Sequence, residues 1–384
     1  MWNKIFITLA IPIIYVGLFV FIRFITQQGM FDIQSVNASN SIAFSGLRVV
    51  KNKLVNEQNQ QVVLHGADRS GAEYECVKND FVFDGPSDEV SIQAMKTWNI
   101  TAIRVPLNED CWLGINGAKV DSSTYQKAIR NYVTLLNQHQ IYVILDLHWN
   151  APGDTLSTSQ QNMADRDHSI DFWKSVAATF KGNNNVLFDV YNEPHDISWD
   201  CWKNGCDNYA GMQQLVDAVR STGANNVIML GGLNWAKDLS GWYANRPTDP
   251  KNNLVASWHM YGSTSCSGTN CWDAKGISSL MAKVPVIAGE FGESSDATIC
   301  STPISNAFMN WMDQHNSSYL AWTWDAWGTS CGDLSLITAY NGTPHKPNGI
   351  NYRNHLLALK DEENKKVDSQ APTSQKHCFL FFCF

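Results

Sequence analysis

Eight short apolar runs recur along this chain. Each ends in a polar loop and, with one weak exception, leads into a stretch of helical period. The runs fall at 62–66, 100–105, 142–147, 186–190, 227–230, 254–258, 286–288 and 319–322. They are mostly apolar at successive positions, whereas a strand with one face in water alternates with a period of two, so they predict a parallel sheet covered on both sides. The helical stretches between them are 87–98, opened by Ser87 as N-cap, then 123–140, 167–180, 209–221, 277–283, 305–314 and 350–359. Only the connection at 238–243 is weak. Eight is the number at which such a sheet closes on itself. The expected fold class is therefore α/β, a (β/α)8 TIM barrel. An open doubly wound sheet is the rival, but no glycine-rich phosphate loop follows any run.

Before the barrel, residues 47–66 carry apolar pairs on both sides of Asn56-Glu57-Gln58-Asn59. That pattern predicts an N-terminal β-hairpin running into the first strand. Residues 5–22 are an uncharged apolar run of eighteen, preceded by Lys4 and followed by Arg23. A cleavable signal core has ~7–15 such residues, and ~18 or more can span a bilayer. Residues 1–26 are thus expected to be a signal anchor or a signal peptide, with a linker at 27–45. The barrel domain is expected over 46–360, and a disordered polar tail with an apolar end over 361–384.

In a parallel barrel, chemistry collects at the C-terminal ends of the strands. The runs here end in Arg104, in Asp146 and His148, in Asn192 and Glu193, in Asn234 and Trp235, in His259 and Tyr261, in Glu290, and in Trp322, Trp324 and Asp325. Two carboxylates, Glu193 and Glu290, leave strands four and seven. Cleavage of a glycosidic bond needs such a pair, one to protonate the departing oxygen and one to attack the sugar or activate water. On this reading Arg104 and Tyr261 hold Glu290 ionised, Asn192 meets a sugar hydroxyl and Trp324 offers a face for a pyranose ring. Asp146 and Asp189 are expected as buried structural carboxylates, His195 as a plain loop residue, and Glu293 as the rival to Glu290. The histidines lack HxH or HExxH spacing, so no metal ligand is expected.

Composition narrows the partners. A net charge of −8 with no basic stripe argues against nucleic acid. The 15 Trp suit stacking surfaces at a cleft, and Trp112, Trp149, Trp199, Trp202, Trp235, Trp272 and Trp327 fall in or near loops after strands. Of the 10 Cys, Cys201/Cys206 and Cys266/Cys271 are close pairs in polar loops and read as disulfide staples, which need an oxidising compartment. Cys76 with Cys111 and Cys300 with Cys331 are the further bridges expected, although sequence leaves the connectivity open. The body of the chain is expected to be exported, secreted or held at the cell surface through the N-terminal segment.

RVPLN at 104–108, DLHW at 146–149, NEP at 192–194, HMY at 259–261, AGEFGE at 288–293 and WTW at 322–324 together resemble glycoside hydrolase family 5. The resemblance runs in order from about residue 45 to 359. It implies a (β/α)8 barrel and retaining hydrolysis of β-linked glucans, mannans and related glycans. It implies Glu193 as acid/base and Glu290 as nucleophile, with Arg104, His148, Asn192, His259, Tyr261 and Trp324 around the cleaved sugar. The expected substrate is an internal β-1,4 bond of a cellulose-like glucan. A β-mannanase, an exo-β-1,3-glucanase of the same family and a wall transglycosylase are the alternatives. The partner expected is a polysaccharide, the protein is expected to be a monomer, and no cofactor is implied. A non-catalytic glycan-binding barrel would lack one of the two carboxylates, and a metal-dependent deacetylase would show ligand spacing that is absent here.

Overall fold

A hairpin enters first, β1 (Arg48–Val50) and β2 (Lys53–Val55), in a computed structural model that describes residues 42–262, 266–294 and 300–370. The apolar run at 5–22, most of the linker and the tail beyond 370 lie outside the described residues. So do the anchor and the leader expected there. Among the described residues no helix is long and apolar enough to cross a membrane.

The hairpin's own turn is Lys51-Asn52, with Lys51 at φ 58°. The corner expected at 56–59 is a second turn, in which Asn56 Oδ1 accepts from the Gln58 and Gln60 amides. It closes a second antiparallel pairing, in which the Val62 amide donates to Leu54 O and the Asn56 amide to Gln60 O, so the expected corner is present and the Lys51-Asn52 hairpin precedes it.

Barrel strands β3 (His65–Asp68), β4 (Ala102–Asn108), β5 (Tyr142–Trp149), β6 (Val186–Asp189), β7 (Ile228–Gly231), β8 (Leu254–Tyr261), β9 (Val286–Gly292) and β10 (Ser318–Ala321) pair in parallel in that order. β10 pairs back onto β3 and closes the barrel. β3 starts later than the expected 62–66. Val62 and Leu64 instead join Leu47 and Leu54 in one apolar cluster with Ile144, Leu187, Met229, Val255, Ile287 and Leu320, which come from six of the strands. The hairpin and the segment after it therefore plug the barrel below the site, removing apolar surface from water.

The helices cover the outside. α1 (Glu89–Thr97) is capped by Asp88, whose side chain accepts from the Ser91 amide, rather than by Ser87. α2 (Ser122–Gln138) is capped by Asp121 in the same way. α3 (Ser169–Phe180), α4 (Met212–Ser221), α5 (Ile277–Met281) and α6 (Pro303–Gln314) follow. The weak connection after β7 holds a left-handed turn, with Asn234, Trp235 and Ala236 at φ 54°, 57° and 53°, and the short helix Trp242–Asn245. The last helix, α7 (Asn348–Gln370), runs past the expected end at 359 into the stretch expected to be disordered. Residues 361–370 are DEENKKVDSQ, with no glycine or proline before Pro372, and nothing in them stops a helix.

Among the described residues there are four disulfides: Cys76–Cys111, Cys201–Cys206, Cys266–Cys271 and Cys300–Cys331. All four lie in segments that follow barrel strands, and so they staple the end where the strands deliver their polar residues.

Candidate active site

Strand phase decides what reaches the barrel mouth. Along β5, Ile144 lies in the interior cluster, and Asp146 and His148 follow at intervals of two on the same side. β9 breaks this rule. Ile287 is interior, yet Glu290, three residues on, also faces inward. The register against both β8 and β10 shifts at this level, skipping Gly289, so the strand bulges and its phase resets. Glycine suits the bulge, since a Cβ there would lie 2.7 Å from Ser257 Oγ and 3.1 Å from His259 Nε2 and would force both side chains to shift.

Arg104 is fully buried at the centre of the site. Its Nη1 donates to Asp68 Oδ1 at 3.0 Å and to Glu290 Oε1 at 2.8 Å. Nε donates to Asp189 Oδ2 at 3.1 Å, and Nη2 donates to Asn192 Oδ1 at 2.7 Å and lies 3.1 Å from Asp146 Oδ2. One cation thus faces four carboxyl groups away from water. Burial outweighs the pull of Arg104 and pushes both Asp146 and Asp189 up to about 7, and Asp68 well above the usual carboxylate range. Asp146 and Asp189 are the buried structural carboxylates expected.

The two glutamates sit in different company. Glu290 accepts on both oxygens, from Arg104 and from Tyr261 Oη at 2.5 Å. Burial and the adjacent Glu290 push the Tyr261 phenol upward, which keeps it a donor. Glu193 takes His259 Nδ1 on Oε1 at 2.9 Å and Gln160 Nε2 on Oε2 at 3.3 Å. Burial raises Glu193 above the ordinary glutamate range, against the opposing pull of His148, Arg104, Gln160 and Lys237. His259 and His148 are lowered by burial, to about 3 and about 4, and stay neutral. His148 directs Nδ1 at Asp146 Oδ2, 2.6 Å away, and its ring stacks on Trp322.

One nitrogen or carboxylate oxygen from each of Glu193, His259 and Glu290 lies within 4.8 Å of the other two. A cation could bridge that spacing. In the structure His259 Nδ1 itself links the two carboxyl groups, 2.9 Å from Glu193 Oε1 and 3.5 Å from Glu290 Oε2. The cleft above the pair encloses about 450 Å³ and is lined by His148, Gln160, Asn192, Glu193, Trp235, Lys237, Tyr261, Glu290 and Trp322.

Seven of the eight site residues read from the sequence converge here. Trp324 does not. β10 ends at Ala321, and the chain then crosses back over β3, where the Trp324 amide and Thr323 Oγ1 both donate to Asp68 O. Trp324 is fully buried edge-on against Trp98, 4.8 Å between ring centroids, and Trp322 is the ring left at the mouth. Three of the expected groove tryptophans are also core. Trp112, Trp202 and Trp272 are completely buried, with their indole N–H groups bonded to Ser175 Oγ, Gly231 O and Cys266 O. Trp235 and Trp327 remain exposed, at 37% and 48%. Glu293 accepts from the Ser305 amide at the start of α6 and does not line the cleft. Gln160 and Lys237 were missed, because both lie in loops without period or motif.

The family model for cellulase (glycosyl hydrolase family 5) matches residues 55–328. Beta-mannanase/endoglucanase A of Caldicellulosiruptor saccharolyticus is 23% identical over 279 residues, covering 70% of this chain and 19% of that protein. Endoglucanase 1 of Robillarda sp. (strain Y-20) is 27% identical over 262 residues, covering 57% and 65%. The chain thus spans less than two thirds of the length of either relative. Among solved structures, the catalytic domain of Thermobifida fusca endoglucanase Cel5A, in complex with cellotetraose, superposes with a TM-score of 0.58 at 17% identity, over 82% of this chain and 98% of that one. At that identity the likeness is one of fold.

Proposed function

This chain belongs to the cellulase family, glycosyl hydrolase family 5, and from that premise we propose that it is a retaining glycoside hydrolase cutting internal β-1,4 bonds of cellulose-like glucans. The observation that carries the mechanism is the pairing of Glu193 and Glu290 at one mouth, close enough that one oxygen of each lies within 4.8 Å of the other, which suits the shorter of two spacings. Retaining pairs stand ~5–5.5 Å apart, and inverting pairs stand ~6.5–9.5 Å apart to admit a water.

The surroundings divide the roles. Glu290 accepts two strong hydrogen bonds, which suits the form that attacks. Burial favours the protonated form of Glu193, which suits the group that gives a proton away. In the first step a Glu290 oxygen bonds to the anomeric carbon as the bond to the departing oxygen breaks. That oxygen takes the Glu193 proton. In the second step Glu193, now a carboxylate, takes a proton from water. The water oxygen bonds to the same carbon and Glu290 leaves. Two inversions return the β configuration. Asn192 and His148 face the sugar, and Trp322 and Trp235, which also line the cleft, offer flat surfaces to it.

The glucan reading is supported by the endoglucanase named among the relatives and by the cellotetraose bound to the superposed fold. The mannanase named beside them keeps mannan as the second reading. Export agrees with the four disulfides. The test is a panel of carboxymethylcellulose, galactomannan, laminarin and xyloglucan. Carboxymethylcellulose should lose viscosity well before reducing ends accumulate. Faster cleavage of galactomannan moves the protein to the second reading, and release of glucose alone from laminarin contradicts both.

A further inference from the structure

Gln160 lies in the loop between β5 and α3, and no step above uses it. Its amide bridges the two polar residues at the end of β6. Oε1 accepts from Asn192 Nδ2 at 2.6 Å, and Nε2 donates to Glu193 Oε2 at 3.3 Å. The loop does not hold this position by chance. Tyr191, fully buried and immediately before Asn192, clamps the next residue by both backbone groups: its hydroxyl accepts from Gln161 N at 3.1 Å and donates to Gln161 O at 2.5 Å. The His195 amide donates to Asn162 O at 3.0 Å. The strand end that presents Glu193 therefore also fastens the loop that reaches over it, on both sides of Glu193.

We propose that Gln160 is a positioning residue for Glu193, supplying the donor that steadies its carboxylate form and so setting the pH at which it yields its proton. The inference rests on the reading of Glu193 as the acid/base. A donor to a carboxylate stabilises the ionised state, and losing it makes the proton harder to remove. The other charged or titratable groups facing Glu193 are Arg104, Asp146, His148, Lys237, His259, Tyr261 and Glu290. None of them bonds to Gln160, whose side chain meets only Asn192 and Glu193.

The experiment is the pH profile of kcat/KM, whose alkaline limb reports the acid in the free protein. In Gln160→Leu that limb should move to higher pH by about half a unit to one unit, the shift expected from one hydrogen bond. Gln160→Glu keeps an acceptor for Asn192 but sets a like charge beside Glu193, and its limb should move further the same way. A limb unmoved in both variants, or moved to lower pH, overturns the inference, even if KM or thermal stability changes. A separate control addresses the premise. Glu193→Ala should lose about 10²–10⁴-fold on cello-oligosaccharides and far less on a 2,4-dinitrophenyl β-cellobioside, whose leaving group needs no proton. Equal losses on both remove the acid/base reading itself. Unequal losses with an unmoved limb remove only the role of Gln160.

Discussion

Glu290→Ala is expected to lower turnover by about ten-thousandfold or more, the order lost when a nucleophile is deleted. Added azide should then restore turnover of an activated aryl β-cellobioside. The argument is geometric. The Gly289 bulge turns Glu290 inward, where Arg104 and Tyr261 occupy both of its oxygens. Truncation to alanine leaves room on the face that the carboxylate occupied. A small anion entering there bonds to the anomeric carbon once, with a single inversion, and gives an α-glycosyl azide. A β-azide would mean that the residue removed had been the acid/base. No rescue would return attention to Glu293, which is held by the Ser305 amide.

Arg104→Met should be the most destabilising single change at the site. It removes the one cation among Asp68, Asp146, Asp189 and Glu290, all of which remain buried. Breaking such a cluster costs about 3–5 kcal/mol, which lowers Tm on the order of 10 °C in a domain of this size. The effect should depend on pH. Asp146 and Asp189 are raised in the folded protein to about 7, above the ordinary value of 3.8. Their contribution is therefore fully present below about 3.8 and is lost as pH rises through about 7. Without Arg104 the ionised forms have no partner, so the Tm deficit should widen from about pH 5 to about pH 8. Arg104→Lys should not repair it, because three nitrogens of one planar fork reach five side chains. A Tm unchanged at pH 8 would contradict the account of the cluster.

The barrel and the set of polar residues at its mouth were legible in the sequence because both follow from strand phase. An apolar run buried on both faces announces itself, and the residue after it stands at the mouth whatever the loop does next. That is why Arg104, His148, Asn192, Glu193, His259, Tyr261 and Glu290 were found by position. Trp322 and Trp324 show where the argument stops. They share the same parity, but β10 ends at Ala321, and beyond a strand's last pair parity no longer gives direction. The same limit hid Gln160, which is placed by Tyr191 through contacts thirty residues apart in the chain. Trp112, Trp202 and Trp272 were misread for another reason. Their indole N–H groups find partners inside, so an aromatic in a loop after a strand can pack as core. Ser87 and Asp88 are both good caps, and only the structure decides between neighbours.

The most direct test of the central claim is the anomer first released by the unaltered protein. Cello-oligosaccharide cleavage followed by proton NMR should show the β-anomer of the new reducing end first, with the α-anomer arising later by mutarotation. That order is what a Glu193–Glu290 pair with one oxygen of each within 4.8 Å of the other predicts. The α-anomer appearing first would contradict it, since a water would then have attacked directly and Glu290 would not have bonded to the sugar.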